Sequence, residues 1–134
     1  MAKIDIACLI DDDPIFVFGA KKMMELANFC NRFLVYKNGD EAIKALSAIL
    51  KSQEGFPDII LLDLNMPILD GWQFLDEFLK IEVPKKILIY VVSSSKDPSD
   101  INRAKSYKQV NNFVVKPISM DDLKAIIQDV ELTD

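Results

Sequence analysis

The 134-residue chain has no histidine, only two cysteines and only four glycines. Without histidine it cannot contain a Ser-His-Asp or Cys-His nucleophile, a histidine metal site or a phosphohistidine of its own. Scarce glycine disfavours a glycine-rich phosphate loop, and neither GxGxxG nor GxxxxGK[ST] occurs. The cysteines, Cys8 and Cys30, lack CxxC spacing. We interpret them as reduced, buried apolar side chains of a cytoplasmic protein.

The chain also lacks an excess of positive charge and a long hydrophobic run. Asp and Glu number 21 against 16 Lys and Arg, so the net charge is −5. An acidic surface disfavours nucleic acid as a partner, because neutralising phosphates requires a basic face. The longest apolar run, residues 87–92, is far shorter than the ~20 residues that cross a bilayer. A signal peptide is not recognisable either. We therefore predict a cytoplasmic protein without a nucleic-acid or membrane partner.

Five short apolar segments are present, at residues 4–10, 33–36, 59–62, 87–92 and 113–115. They are aliphatic and do not alternate strictly with polar residues, which is typical of strands buried on both faces of a parallel sheet. Helical patterns lie between and after them, at residues 14–27, 42–50, 72–80, 97–107 and 123–130. In the first helix the apolar positions include Ile15, Phe18, Met23 and Leu26. This alternation predicts an α/β fold with helices on both faces of a parallel sheet.

Polar residues follow the predicted strands. Asp11 and Asp12 come after the first strand, Asp63 after the third, Ser93 after the fourth and Lys116 after the fifth. The carboxyl ends of parallel strands share one edge of the sheet, where ligands bind in open α/β folds. We therefore expect these side chains to meet in one cleft.

Three carboxylates in one cleft repel each other, and a divalent cation relieves that repulsion. Oxygen ligands without histidine or cysteine select a hard ion, and Mg²⁺ before Zn²⁺. A carboxylate can accept a phosphoryl group as an aspartyl phosphate, while a hydroxyl and a lysine contact the other phosphoryl oxygens. The residue types therefore indicate phosphoryl transfer to an aspartate.

Four ordered segments carry a family resemblance: CLIDDDP at 8–14, LLDLNMPILDG at 61–71, VVSSS at 91–95 and FVVKP at 113–117. Together they resemble the receiver domain of two-component response regulators, the CheY-like family. The resemblance covers nearly the whole chain. It implies a doubly wound, flavodoxin-like sheet of five parallel strands in the order 2-1-3-4-5, with five helices in a three-layer sandwich. It also leads us to expect a single receiver domain over residues 1–134, with no output domain.

The resemblance implies a role for each acidic residue of the cleft. Asp63 matches the phosphoacceptor. Asp12 matches a direct Mg²⁺ ligand, and Asp11 its partner acting through water. Asn65 would supply its backbone carbonyl to the metal. The implied metal site is therefore Asp11, Asp12, Asp63 and Asn65.

The resemblance also implies the groups that bind and report the phosphoryl group. Ser93 and Lys116 match the hydroxyl and the ammonium that contact phosphoryl oxygens. Ser93 and Phe113 match the pair that switches conformation. A cis peptide is expected between Lys116 and Pro117.

The implied function is that of a stand-alone response regulator, which is a signalling switch and not an enzyme. A sensor histidine kinase or a phosphotransfer protein would donate the phosphoryl group. The face formed by the fourth helix, fifth strand and fifth helix would then bind a downstream protein of unknown identity. Two alternatives remain open: an aspartate-nucleophile phosphatase of the haloacid-dehalogenase type, and a degenerate receiver that acts only as a protein-binding adaptor.

Overall fold

Strands and helices alternate along the whole described part of the chain. The structure, a computed structural model, describes residues 4–52, 54–83 and 85–133, so the ends of the predicted 1–134 domain lie outside it. The strands are β1 Ile4–Ile10, β2 Cys30–Tyr36, β3 Ile59–Leu62, β4 Leu88–Ser93 and β5 Val110–Val115. The helices are α1 Pro14–Leu26, α2 Gly39–Ser52, α3 Gly71–Phe78, α4 Pro98–Ser106 and α5 Met120–Thr133.

The five strands form one parallel sheet in the order β2-β1-β3-β4-β5. This confirms the predicted topology. Residues of α1 and α5 pack on one face of the sheet, and those of α2 and α3 pack on the other. Ala104 of α4 packs on Val91 of β4. All residues of β3 and β4 are buried, because helices cover both faces of these inner strands.

The edge strands are longer than the sequence predicts. β2 begins at Cys30 instead of Phe33, and β5 begins at Val110 instead of Phe113. Both strands lie at an edge of the sheet, and their first residues are mostly exposed and polar. The apolar run that marks an edge strand is therefore shorter than the strand itself.

Helix α1 turns a different face to the sheet from the one its apolar positions suggest. Three of the four apolar residues noted in the sequence are exposed, namely Ile15 at 83%, Phe18 at 65% and Leu26 at 83%. The buried residues of α1 are instead Ala20 and Met24. The helix has two overlapping apolar stripes, and the one that faces the sheet carries Ala20 and Met24, with Phe16 and Met23 partly buried against the same core cluster. A row of large apolar side chains is left on its outer face.

The cysteines and the hydrophobicity of the helices can be compared with the predictions from the sequence. Cys8 is buried, Cys30 is half-buried, and neither forms a disulfide. Within residues 4–52, 54–83 and 85–133, no helix is both long enough and apolar enough to cross a membrane.

Candidate functional site

The predicted site residues meet at the carboxyl edge of the sheet. Asp11 follows β1, Asp63 follows β3, Ser93 ends β4 and Lys116 follows β5. These strands are neighbours in that order, so the four residues form a row across the sheet edge. Backbone hydrogen bonds fix the row, because the Asp63 amide donates to the Ile10 carbonyl at 2.9 Å and the Lys116 amide to the Ser93 carbonyl at 2.8 Å.

An acidic cluster is formed by Asp11, Asp12 and Asp63. One carboxylate oxygen from each lies within 4.8 Å of the others. Asp11 and Asp63 are buried, whereas Asp12 is exposed. Burial, and next the negative charge of Asp11, raise the pKa of Asp63 to about 6. Burial also raises the pKa of Asp11, against the lowering effect of its hydrogen bond with Lys116. The protein therefore holds these carboxylates together at an electrostatic cost.

The donor set of this cluster fits a hard divalent cation such as Mg²⁺. It offers carboxylate oxygens only, and a cation would relieve the repulsion from Asp11, which adds to the effect of burial in raising the pKa of Asp63. Asn65 is exposed in the loop after β3. Asp13 instead caps α1, since its carboxylate accepts the amide hydrogens of Ile15 and Phe16.

Lys116 places its ammonium against this cluster. Its Nζ lies 2.7 Å from Asp11 Oδ2 and 3.5 Å from Asp63 Oδ1. The side chain is only 16% exposed, so few water molecules can solvate the charge. The peptide bond between Lys116 and Pro117 is cis, as the resemblance predicts. A positive charge is therefore fixed beside two of the three carboxylates.

The predicted switch residues lie on two neighbouring strands, since Ser93 is the last residue of β4 and Phe113 lies in β5 opposite Val91 of β4. Ser93 is fully buried, and its Oγ accepts the Ser95 amide hydrogen at 3.2 Å. Ser94 is exposed. Phe113 is half-buried and packs against a small apolar cluster of Leu64, Val91 and Ala104. This cluster connects the residue after Asp63 to helix α4.

Two residues at the site have contacts for which the sequence indicated no role. The ring of Phe16 lies over Lys116, with its centroid 4.2 Å from Nζ. A signal was available, because Phe16 is in the first turn of the helix that follows the acidic pair. The other is Gly71, whose amide donates to the Leu64 carbonyl at 2.9 Å. A Cβ at position 71 would lie 2.4 Å from the Asp63 carbonyl oxygen, so α3 begins directly against the backbone of Asp63.

The family model, the related sequences and the similar solved structures all point to the same protein family. Residues 7–128 match the family model of the response regulator receiver domain. FilR2 of Methanothrix harundinacea is 27% identical over 126 residues, which are 94% of this chain and 81% of FilR2. The nitrate/nitrite response regulator NarL of Escherichia coli is 29% identical over 90% of this chain, which spans only about half (52%) of NarL. A crystal structure of a two-component response regulator from Cytophaga hutchinsonii is 31% identical, has a TM-score of 0.88 and matches over 98% of both chains.

Receiver domains are in general signalling switches and not enzymes, and phosphorylation and Mg²⁺ binding are typical of them. Their family interacts with histidine kinases or phosphotransfer proteins. The family model covers most of the chain, the sheet order is that of the receiver fold, and the acidic cluster lies where the fold binds ligands. The chain therefore belongs to the response regulator receiver domain family of two-component signal transduction.

Proposed function

We propose that the chain is a phosphorylation switch in which Asp63 accepts a phosphoryl group from a phosphohistidine donor. Asp11, Asp12, Asp63 and the backbone carbonyl of Asn65 would hold Mg²⁺. The observation that carries the proposal is the carboxylate cluster, in which Asp11 and Asp63 are buried, with the Lys116 ammonium 3.5 Å from the Asp63 carboxylate. This arrangement supports transfer of a negatively charged group to Asp63, because positive charge is already in place beside the acceptor.

The proposed transfer is a displacement at phosphorus. An Asp63 carboxylate oxygen forms a bond to phosphorus, and the bond from phosphorus to the donor's imidazole nitrogen breaks, with the electron pair remaining on nitrogen. Lys116 and the Ser93 hydroxyl then contact phosphoryl oxygens. Mg²⁺, when bound, would neutralise part of the negative charge at the site during the transfer.

The proposed readout is a shift between two conformations of the α4-β5-α5 face. Ser93 moves toward the phosphoryl group, and Phe113 turns into the space that is released. Helix α4, all of whose residues are described, buries Ala104 alone, so little apolar packing opposes its displacement. Phe113, Ala104 and Leu64 belong to one apolar cluster, which links the acceptor segment to α4. Phosphorylation would bias an equilibrium that exists beforehand, and a downstream protein would bind the favoured state.

The proposal places this switch in the cytoplasm, without a nucleic-acid or membrane partner. Its donor would be a sensor histidine kinase or a phosphotransfer protein. The two unpaired cysteines agree with a reducing compartment. The chain would not turn over small phosphate esters, which an aspartate-nucleophile phosphatase would do.

The first test is labelling with radioactive acetyl phosphate. We expect the wild-type protein to take up label when Mg²⁺ is present and to lose this ability when the metal is chelated, since the acidic cluster then regains its repulsion. The linkage should be cleaved by neutral hydroxylamine, as acyl phosphates are. No label, label independent of Mg²⁺, or a linkage stable to hydroxylamine would each contradict the proposal.

A second prediction concerns the surface on which a protein donor docks. Phe18 is 65% exposed on α1 and lines a groove of about 540 Å³ that also reaches Asp11 and Asp12. An aromatic side chain buried at the centre of an interface commonly contributes about 2 kcal/mol or more to binding. We expect Phe18→Asp to slow phosphotransfer from a protein donor by roughly tenfold or more. Labelling by acetyl phosphate should be unchanged.

Leu26→Asp is the matched control for this prediction. Leu26 is equally apolar and is exposed on the same helix. It lies eight residues further along, which is about 12 Å of helix, and is absent from the residues that line the groove. Its replacement should leave transfer from a protein donor intact. Equal effects of Phe18→Asp on both donors would show damage to the site and not to docking.

A further inference from the structure

We infer that Phe16 is a positioning residue for the proposed phosphoryl transfer, and that its ring holds the Lys116 ammonium in place when a divalent cation occupies the acidic cluster. The inference rests on the proposed function and extends it to a residue outside the four strand ends.

The ammonium of Lys116 has three attractive contacts among the described residues. Two are ion pairs, at 2.7 Å to Asp11 Oδ2 and at 3.5 Å to Asp63 Oδ1. The third is the face of the Phe16 ring, whose centroid is 4.2 Å away. This is well within the ~6 Å at which a cation is attracted to an aromatic face. Because Lys116 is mostly buried, the attraction is screened little by water.

A bound cation weakens two of these contacts and leaves the third. The Oδ1 of Asp11 already accepts the Asp13 amide hydrogen at 2.9 Å, and the Oδ2 accepts from Lys116. A metal ion held by Asp11 and Asp63 therefore shares carboxylates with the ammonium, and the like charges repel. The ring carries no formal charge and is not a ligand for a hard cation. Phe16 thus provides the contact that the metal does not compete for.

The position of Phe16 is determined by the same turn that carries the acidic pair. The Asp13 carboxylate accepts the Phe16 amide hydrogen at 3.3 Å, while the Asp13 amide binds Asp11. The ring is half-buried and packs against the core cluster that includes Ala20 and Met24. These contacts hold the ring independently of Lys116, so little side-chain entropy of Phe16 is lost when the ring contacts the ammonium.

Other lysines also lie over aromatic rings, but less closely. Lys21 is 5.4 Å from the Phe33 centroid, and Lys22 is 5.6 Å from that of Phe18. Neither lysine forms an ion pair among those found in the described residues, and Lys22 is exposed. The distance from Nζ to the ring centroid is shortest, at 4.2 Å, for Lys116 and Phe16, and Lys116 is the lysine beside Asp63.

The direct test is NMR of the protons on the carbon bonded to Lys116 Nζ. In the wild type, the ring current of Phe16 should shift these protons upfield, both without metal and with Mg²⁺ added. Phe16→Tyr should keep the shift, because it keeps the aromatic face. Phe16→Leu should lose it, although it keeps an apolar side chain for the core. An upfield shift that disappears when Mg²⁺ is added to the wild type would overturn the inference.

Labelling with acetyl phosphate gives the second readout. At saturating Mg²⁺ we expect Phe16→Leu to lower the maximal rate by about two- to thirtyfold, which spans the range from an exposed to a desolvated cation–π contact. Phe16→Tyr should stay near the wild-type rate. Phe33→Leu, which removes another ring that lies over a lysine, should leave the rate unchanged.

The outcomes separate this inference from the proposed function. Equal slowing by Phe16→Tyr and Phe16→Leu would assign Phe16 a purely structural role and overturn the inference. A wild-type protein that takes no label would defeat the proposed function. The shift of the Lys116 protons with Mg²⁺ would still decide whether Phe16 holds the ammonium.

Discussion

Asp63→Asn is expected to reduce labelling by acetyl phosphate by at least roughly a thousandfold, as removal of a reacting nucleophile does. An amide oxygen carries no negative charge and cannot form the acyl phosphate. The fold should survive, because the amide has nearly the same shape. The substitution also removes the repulsion between Asp63 and Asp11, while the 2.7 Å ion pair of Lys116 with Asp11 remains. The free energy of unfolding should therefore not fall.

The matched control is Asp13→Asn at the same edge of the sheet. Asp13 is exposed and caps α1, and asparagine caps helices about as well as aspartate. This variant should be labelled like the wild type and unfold at the same concentration of urea. If Asp63→Asn keeps its label, or if both variants lose it equally, Asp63 is not the acceptor.

Gly71→Ala is expected to lower the free energy of unfolding by roughly 3 kcal/mol, at the upper end of the cost of overpacking. The added Cβ would lie 2.4 Å from the Asp63 carbonyl oxygen and 2.8 Å from the Leu64 Cα. Both are backbone atoms, so no side-chain rotation can relieve the clash. The chain must move α3 away from the end of β3, which also displaces Asp63. We therefore expect slower labelling in the molecules that still fold.

Gly19→Ala tests whether this effect comes from the close approach. Gly19 is exposed within α1, and a Cβ built there has no atom within 4 Å. Alanine in a helix is favoured over glycine by about 0.5–1 kcal/mol, so this variant should be more stable than the wild type. Urea unfolding followed by circular dichroism measures both variants. A Gly71→Ala protein as stable as the wild type would contradict the packing described for α3.

The inner strands illustrate how far sequence alone reaches. β3 and β4 are continuous apolar runs because both of their faces are covered, and the strand that is predicted nearly coincides with the one observed. The edge strands β2 and β5 were predicted too short, because their exposed positions accept polar residues. A strand can be recognised from an apolar run only where its residues are buried. Exposed strand positions accept polar residues, so they leave no such run in the sequence.

The amino-acid sequence by itself determined the sheet and the chemical groups at its edge. Parallel strands end on one side, so Asp11, Asp63, Ser93 and Lys116 had to come together once their strands were recognised. Only the tertiary structure decided which face of α1 meets the sheet and brought Phe16 over Lys116. The spacing of apolar residues along α1 allowed two faces, and the one that carries Ala20 and Met24 packs against the core residues of the sheet. Contacts of that kind arise from the relative placement of whole elements, which local sequence patterns do not specify.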